Sequence, residues 1–258
     1  MLRGPVVFLV LPDLSRAKVE ALSLLGGVPV LVSYTVLRWK PGMIPRLWGL
    51  RRSGAVGRVM LDSGAYHLAR VGEEVDPGEY AGFALEHGGL WDLVVAPDVP
   101  GDPAGTLRRT LVFAQAYPGR FLPVLQGQTP SEYLWSLRAL EREGLTERAP
   151  RQDGAPVLGV GGLDGEKRRT AWIARLLRAL PDTYKYHLFG IGIRVLRGLR
   201  RRGLLPLIAS TDTTAWLAEI RFRRRTIHNA TTTIEANTTA LRAYLEKAQA
   251  LSVVEAYA

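Results

Sequence analysis

The feature that most constrains this chain is a regular alternation of short apolar runs with segments of helical periodicity. Eight runs rich in Val, Ile and Leu predict buried strands, and apolar positions at helical spacing fill most of the intervals between them. The predicted strands cover residues 6–11, 28–34, 58–61, 92–96, 121–125, 156–160, 186–189 and 206–209. The predicted helices include residues 16–25, 104–117, 130–144, 166–180 and 193–202.

Near-continuous apolar strands indicate a parallel sheet that is covered on both faces. Eight strand–helix units match the size of a (β/α)8 barrel, about 250 residues. The main alternative is an open doubly wound sheet, but no strand is followed by a GxGxxG or P-loop sequence. We therefore predict an α/β fold, a (β/α)8 TIM barrel, as a single domain over residues 1–258. An amphipathic helix at about residues 234–251 would close the barrel or contact a partner.

Composition narrows the chemistry and the partners. The chain has no Cys, which excludes disulfides and thiolate nucleophiles, and its four histidines lack metal-ligand spacing, so we predict no metal and no cofactor. We interpret these histidines as surface or packing residues. A net charge of +10 predicts an anionic partner, although a basic proteome or a thermophilic source would also explain it. No apolar stretch reaches the ~18 residues of a membrane span, so we predict a cytoplasmic protein without membrane contact.

Polar and glycine-rich segments follow six of the predicted strands, where a barrel places its chemistry. Each has a simpler interpretation: the Asp residues as helix caps, the Gly pairs as turns, Gln126 as a satisfied strand end and Tyr66 as core. Brought together at one mouth, carboxylates, an amide and glycine backbone would fit a purine-like base, with an aromatic ring on its face. The segments comprise residues 61–66, 96–100, 125–128, 159–163, 188–192 and 209–216.

In their order along the chain, these segments resemble those of the tRNA-guanine transglycosylase family. The sequence DSGAY at 62–66 is similar to the family's DSGG-aromatic segment, VLQG at 124–127 to its VQGG, GGL at 161–163 to its GGL, and LFGIG at 188–192 to its LMGVG. Asp98 is similar to the base-recognising Asp, and Asp212 falls where the family's nucleophile lies. Phe189 stands where the family usually has Met.

The resemblance implies a glycosyltransferase that replaces guanine in a nucleic acid with a 7-deazaguanine, the small-molecule substrate. In that mechanism Asp212 attacks C1′ of a flipped-out nucleotide to form a covalent intermediate, and Asp62 protonates the leaving base. Tyr66 and Phe189 would enclose the base from its two faces. The implied base-binding residues are Ser63, Tyr66, Asp98, Gln126, Gly161, Gly162, Leu163, Phe189 and Gly190.

The departures from the family pattern bear on the substrate. The family's zinc site needs three Cys and one His, which this chain cannot supply, and the zinc-free branch makes DNA slightly favoured over tRNA. Loss of that region leaves a monomer, a homodimer or a partner subunit open. Two groups of arginines beside Asp212 are predicted to bind phosphates. They are Arg194, Arg197, Arg200, Arg201, Arg221, Arg223, Arg224 and Arg225.

Two alternatives come from other classes of protein. One is a non-catalytic nucleic-acid-binding barrel, in which Trp216 and Arg225 matter more than Asp212. The other is a metabolic TIM-barrel enzyme that binds a phosphorylated small molecule with the backbone of residues 161–162 and 190–192. Three carboxylates beside a phosphate are electrostatically unfavourable for the second alternative.

Overall fold

The computed structural model describes residues 5–217 and 233–252, and it has the predicted α/β architecture. Within these residues a sheet of nine strands runs in the spatial order β4-β3-β2-β1-β9-β8-β7-β5, and every neighbouring pair in that path is parallel. The short strand β6 pairs antiparallel with β7. The strands are β1 (Val6–Val10), β2 (Val28–Ser33), β3 (Val56–Asp62), β4 (Leu93–Val94), β5 (Val124–Leu125), β6 (Arg151–Gln152), β7 (Ala155–Val160), β8 (Lys185–Leu188) and β9 (Ile208–Thr213).

The sheet closes on itself between β4 and β5. Val95 forms a parallel bridge with Leu122. Leu122 N–H donates to Val94 O (2.8 Å), and Ala96 N–H donates to Leu122 O (2.9 Å). Because these bonds join the two ends of the strand path, β1–β5 and β7–β9 form a closed eight-stranded parallel barrel, which confirms the predicted (β/α)8 fold.

Helices surround the barrel and follow its strands. Several begin with Pro at the first helical position after a capping side chain, as at Asp76, Asp102 and Thr129. No described helix is long and apolar enough to cross a membrane. The helices are α1 (Arg16–Leu25), α2 (Tyr34–Trp39), α3 (Met43–Arg52), α4 (Ala65–Ala69), α5 (Pro77–Glu86), α6 (Pro103–Ala116), α7 (Pro130–Arg142), α8 (Thr170–Ala179), α9 (Ile193–Arg200) and α10 (Thr233–Ser252).

The terminal helix α10 packs between α1 and α9 on the outside of the barrel. Leu241 and Tyr244 are buried there, and Arg200 at the end of α9 donates to Ala250 O (3.1 Å). The prediction left open whether this helix would close the barrel or contact a partner. In the structure it covers the barrel next to β1 and β9.

Two apolar layers hold the fold together. The larger layer lies between the strands and the surrounding helices, and the smaller one fills the barrel interior. Such a filled interior is typical of eight-stranded barrels, which contain a packed core and no pore. The buried interior residues are Phe8, Leu31, Met60, Val95, Leu122, Val124, Val157 and Ala209.

The largest difference from the predicted elements concerns the last strand. The prediction ended it at residue 209, whereas β9 spans Ile208–Thr213. Its polar residues are satisfied inside the protein: Thr211 Oγ1 donates to Leu188 O (2.6 Å) and lies 2.7 Å from Ile191 O. Asp212 therefore lies within a strand and does not follow one.

Candidate active site

The polar site lies one layer above the apolar interior, at the carboxyl ends of the strands. Met60 and Phe8 point into the barrel. Asp62 lies two residues beyond Met60 on β3, and Asp212 is in register with Phe8 across β9 and β1. Because side chains two residues apart share a face and parallel register partners point to the same side, both carboxylates project into the mouth.

Asp62 is the most perturbed carboxyl group of the site. It is partly buried, and its Oδ2 accepts a hydrogen bond from Gly64 N (3.0 Å). Burial and then the negative charges of Asp98 and Asp212 raise the pKa of Asp62 to about 7. The three predicted carboxylates therefore meet at one place, and Asp62 can both hold and release a proton near neutral pH.

Asp98 and Gln126 form a hydrogen-bonded pair beside Asp62. Gln126 is 1% exposed; its Nε2 donates to Asp98 Oδ2, and its Oε1 accepts from Gly101 N (3.0 Å). Burial raises the pKa of Asp98, and the bond from Gln126 lowers it in part. Both ends of the Gln126 amide are used by the protein, so in this structure Gln126 holds Asp98 and the loop that carries it.

The predicted glycine pair that follows β7 is explained by Asp98 and Gln126. A Cβ on Gly161 would lie 2.2 Å from Gln126 Nε2, and a Cβ on Gly162 would lie 2.5 Å from Gln126 Oε1. Gly162 also has a φ of +65°, which favours glycine. Tyr133 OH fixes the same turn by donating to Gly161 O (2.6 Å). The glycine pair thus makes room for Gln126.

Asp212 is held on the opposite side of the mouth. It is 7% exposed, and its Oδ1 accepts a hydrogen bond from Gly190 N (2.9 Å). His187 Nε2 lies 3.3 Å from the same oxygen. Gly190 has a φ of +68°, the conformation that aims its N–H at the carboxylate. Two nitrogens on Oδ1 leave Oδ2 directed away from these partners.

His187 is a site residue that sequence reasoning missed. Its side chain is fully buried inside the barrel, which agrees with the packing interpretation, but it also contacts Asp212. Its Nδ1 lies 2.7 Å from Ser210 Oγ. The available signal was its place in an apolar run, two residues before Phe189, where an inward polar residue needs a partner.

The predicted aromatic pair lies in two different environments. Phe189 turns into the barrel, and its ring centroid lies 4.4 Å from that of His187. A Cβ on Gly159 would lie 2.8 Å from the Phe189 ring. Tyr66, on α4, is 52% exposed. Phe189 is partly buried and packs against the interior layer, whereas Tyr66 is exposed at the rim.

The other predicted site residues have structural partners. Ser63 is buried, and its Oγ accepts from Ala65 N (3.3 Å) at the start of α4. Leu163 is buried, and its carbonyl accepts from Arg168 Nε (3.2 Å). Trp216 is buried too, donating from Nε1 to Val10 O (3.2 Å). These contacts explain the residues by folding alone.

The predicted arginines in and next to α9 lie at different distances from the mouth. Arg194 is in the first turn, beside the mouth, whereas Arg200 and Arg201 lie about 10 Å further along the helix axis, towards the opposite end of the barrel. Because the helix runs away from the mouth, Arg200 and Arg201 lie further from it than Arg194, and phosphate binding by these arginines stays a prediction. Arg197 lies between them, and Arg221, Arg223, Arg224 and Arg225 lie outside the described residues.

The cations nearest the mouth include two that were not predicted. Arg168 Nη2 would lie 3.2 Å from a Cβ on Gly190, and Lys167 Nζ donates to Gln128 Oε1 (2.8 Å). Among the described residues, no group of three His, Asp or Glu side chains is arranged to hold a metal ion.

Comparison with known proteins identifies the fold. No family model and no curated protein sequence matches the chain. Among solved structures, the YdjI aldolase from Escherichia coli K12 aligns over 98% of this chain and 93% of its own length, with 12% identity and a TM-score of 0.60. A protein provisionally described as a fructose-1,6-biphosphate aldolase from Coccidioides immitis aligns over 96% and 89%, with 14% identity and a TM-score of 0.58.

A structure described as native KDPGal aligns over 95% of both chains, with 14% identity and a TM-score of 0.53. This chain has the TIM-barrel fold. At such identities the likeness shows the fold alone, and the aldolases' activities are not transferred by it.

These findings correct the family assignment drawn from the strand-end motifs. The resemblance to tRNA-guanine transglycosylases is wrong, since the similar structures are aldolase barrels and no family model supports the assignment. The physical reason lies in the motifs themselves. Gly161 and Gly162 are required by the approach of Gln126, and Gly64 by Ser33 Oγ, 2.3 Å from where its Cβ would lie. Packing at a barrel mouth can therefore produce the same short sequences.

Proposed function

We propose that this protein is a metabolic enzyme that performs general acid–base catalysis on a small polar molecule at the mouth of its barrel. The observation that carries the proposal is the pKa of Asp62, raised to about 7 by burial and by Asp98 and Asp212. A carboxyl group so placed costs folding stability, and such groups cluster at catalytic sites. The likeness to barrels that are themselves enzymes supports the proposal at the level of the fold.

The two sides of the mouth would have complementary roles. Asp62 would donate a proton to a substrate oxygen on which negative charge develops. Asp212, whose Oδ1 is held by the N–H of Gly190, would take a proton from the substrate with Oδ2. Asp98, fixed by Gln126, would accept a hydrogen bond from the substrate and orient it. One proton enters and one leaves, so the site returns to its starting state when the two carboxyl groups exchange protons with water.

Schiff-base chemistry is not part of the proposal, because no lysine side chain is available at the centre of the mouth. Of the five lysines, Lys185 lies at the start of β8, far from the carboxylates, and donates to Pro206 O. Lys167 reaches the rim but is held by Gln128 and the carbonyl of Gly127. The other three lysines lie outside the barrel: Lys18 is on α1, Lys40 follows α2, and Lys247 is on α10.

A phosphorylated substrate is a second, narrower candidate, and the position of Arg168 favours it. This side chain extends to Gly190 at the end of β8, next to the first turn of α9 with Arg194. TIM barrels often bind phosphate in the loops after their seventh and eighth strands, and here β8 is the seventh strand of the barrel. A phosphate at the rim would avoid the carboxylates below it.

The test is a search for turnover without a prior choice of substrate. The protein is incubated with a small-molecule cell extract, and untargeted mass spectrometry records which compounds are consumed and formed. We expect at least one substrate–product pair with the wild type, and at least a ~100-fold slower conversion with Asp62→Asn or Asp212→Asn. Asp182→Asn, in an exposed loop at the other end of the barrel, is the matched control and should retain full activity.

Each outcome decides between the candidates. No conversion by a folded wild type would overturn the enzymatic proposal and favour a non-catalytic barrel. Conversion that survives both active-site substitutions would remove Asp62 and Asp212 from the mechanism. The substrate is a phosphate ester if two results agree. Prior treatment of the extract with phosphatase should abolish the substrate–product pair, and Arg168→Gln should raise KM for the purified substrate.

A further inference from the structure

The proposed chemistry gives no role to His187, a fully buried polar side chain that contacts Asp212. His187 lies inside the barrel among apolar neighbours, with the Phe189 ring 4.4 Å and the Phe8 ring 6.2 Å from its own ring centre. Both ring nitrogens nevertheless have polar partners, Ser210 at Nδ1 and Asp212 at Nε2. A histidine is a costly way to fill an apolar interior, so its two bonds require an explanation.

The hydrogen positions follow from what each partner can do. An ionised carboxylate only accepts, so the hydrogen of the pair with Asp212 must be on Nε2. In a neutral imidazole Nδ1 is then an acceptor, and the Ser210 hydroxyl can donate to it. With this assignment each of the two bonds in the Ser210–His187–Asp212 row has one donor and one acceptor. The opposite tautomer would place the lone pair of Nε2 against the carboxylate oxygen.

The row also decides which oxygen of Asp212 can react. Oδ1 accepts from Gly190 N and from His187, on the side of β8. The described contacts leave Oδ2 without a protein donor, facing the mouth. A carboxylate fixed by two donors on one oxygen cannot rotate, so the other oxygen keeps a constant direction towards a substrate.

We propose that His187 is a positioning residue that locks Asp212 with Oδ2 as the reacting oxygen. Asp212 sets the tautomer of His187, and Ser210, whose hydroxyl can donate to Nδ1, is the outer member of the row. This inference rests on the proposed role of Asp212. The tautomer itself, however, is a property of the folded protein, which separates the two proposals experimentally.

The tautomer is tested by ¹⁵N NMR of the ring nitrogens of His187 in the wild type at neutral pH, assigned by its loss in His187→Gln. We expect one protonated nitrogen, Nε2, and one unprotonated nitrogen, Nδ1. In Ser210→Ala, which loses the hydroxyl donor, we expect the proton to stay on Nε2, because Asp212 still needs a donor there. Protonation on Nδ1 alone, or on both nitrogens, in the wild type would overturn the proposal whether or not the protein is an enzyme.

The positioning role is tested by two amide substitutions. The amide nitrogen of His187→Gln can take the place of Nε2, whereas that of His187→Asn reaches only the place of Nδ1. With the compound pair found above, we expect kcat to fall about 10- to 100-fold in His187→Asn, with KM changed less than about 2-fold, and Gln to restore most of the loss. Equal losses in the two variants, or a loss in KM alone, would show a structural role only.

Discussion

The barrel interior consists of two layers built by the same strands with opposite chemistry. The lower layer contains apolar residues such as Phe8, Leu31 and Met60. Two residues beyond Met60 and Val124, the upper layer contains Asp62 and Gln126, and Asp212 near the end of β9 faces the same mouth. The change from apolar to polar side chains takes place over about 7 Å of strand, the length of two residues.

The contrast shows where this fold gains stability and where it gives stability up. Each buried apolar side chain of the lower layer contributes about 1.5–3 kcal/mol by leaving water. The upper layer instead brings three carboxyl groups together, and burial raises the pKa of two of them, Asp62 and Asp98. Such an arrangement destabilises the folded state at neutral pH, which is typical of a site kept for chemistry.

We expect the largest loss of stability from a substitution in the lower layer. Phe8→Ala should destabilise the protein by about 3–5 kcal/mol and lower Tm by about 10 °C, because it empties a buried site against Ala209 and His187 that the closed barrel cannot collapse to fill. Thermal unfolding followed by circular dichroism measures the change. Trp39→Ala removes a larger but 56% exposed ring and serves as the control. Similar losses in both variants would mean that the interior layer does not dominate stability.

The next effect sharpens the comparison through pH. The pKa of Asp62 is higher in the folded protein, about 7, than its ordinary value of 3.8. Between these values the folded state holds a proton that the unfolded state has lost, so the stability that this proton provides is present below pH ~4 and is lost as the pH rises to about 7. The difference between the two pKa values of Asp62 corresponds to a loss of at most about 4 kcal/mol in the free energy of unfolding.

Urea unfolding of the wild type and Asp62→Asn over pH 4 to 8 measures this contribution. The difference between the two proteins isolates Asp62, since carboxyl groups with a lowered pKa, such as Asp13 and Asp92, act in the opposite direction in both. We expect the wild type to lose stability relative to Asp62→Asn as the pH rises. A difference that stays constant with pH would contradict the raised pKa.

Much of the fold was predictable because its signal is local. Eight apolar runs gave the eight barrel strands, and helix α1 has the predicted bounds. The last strand was cut short because residues 210–213 are polar, and polarity was taken as a sign of a loop. Those residues are strand because their side chains are satisfied inside the barrel, by Leu188 O for Thr211 and by His187 for Ser210. No window of sequence contains those partners.

The site was predictable in part for the same reason. Asp62, Asp98 and Asp212 were found because strand ends converge in a barrel. His187 was missed because its function depends on residues 23 and 25 positions away. The family assignment failed because the glycines of those short sequences are explained by close approach of Gln126 and Ser33, so the sequences do not identify a reaction.

The smallest effect concerns the boundary between the two layers, at Gly161. A Cβ there would lie 2.2 Å from Gln126 Nε2 and 3.1 Å from Asp98 Oδ2, so Gly161→Ala must displace the amide that holds Asp98. We expect a loss of about 1–3 kcal/mol from overpacking, and a further rise in the pKa of Asp98 as the bond that lowers it is broken. Gly82→Ala, in α5 with open space around its Cβ position, is the matched substitution and should stabilise the protein by about 0.5–1 kcal/mol. Urea unfolding of both variants gives the comparison. If Gly161→Ala is as well tolerated as Gly82→Ala, Gln126 can move without cost, and it does not position Asp98.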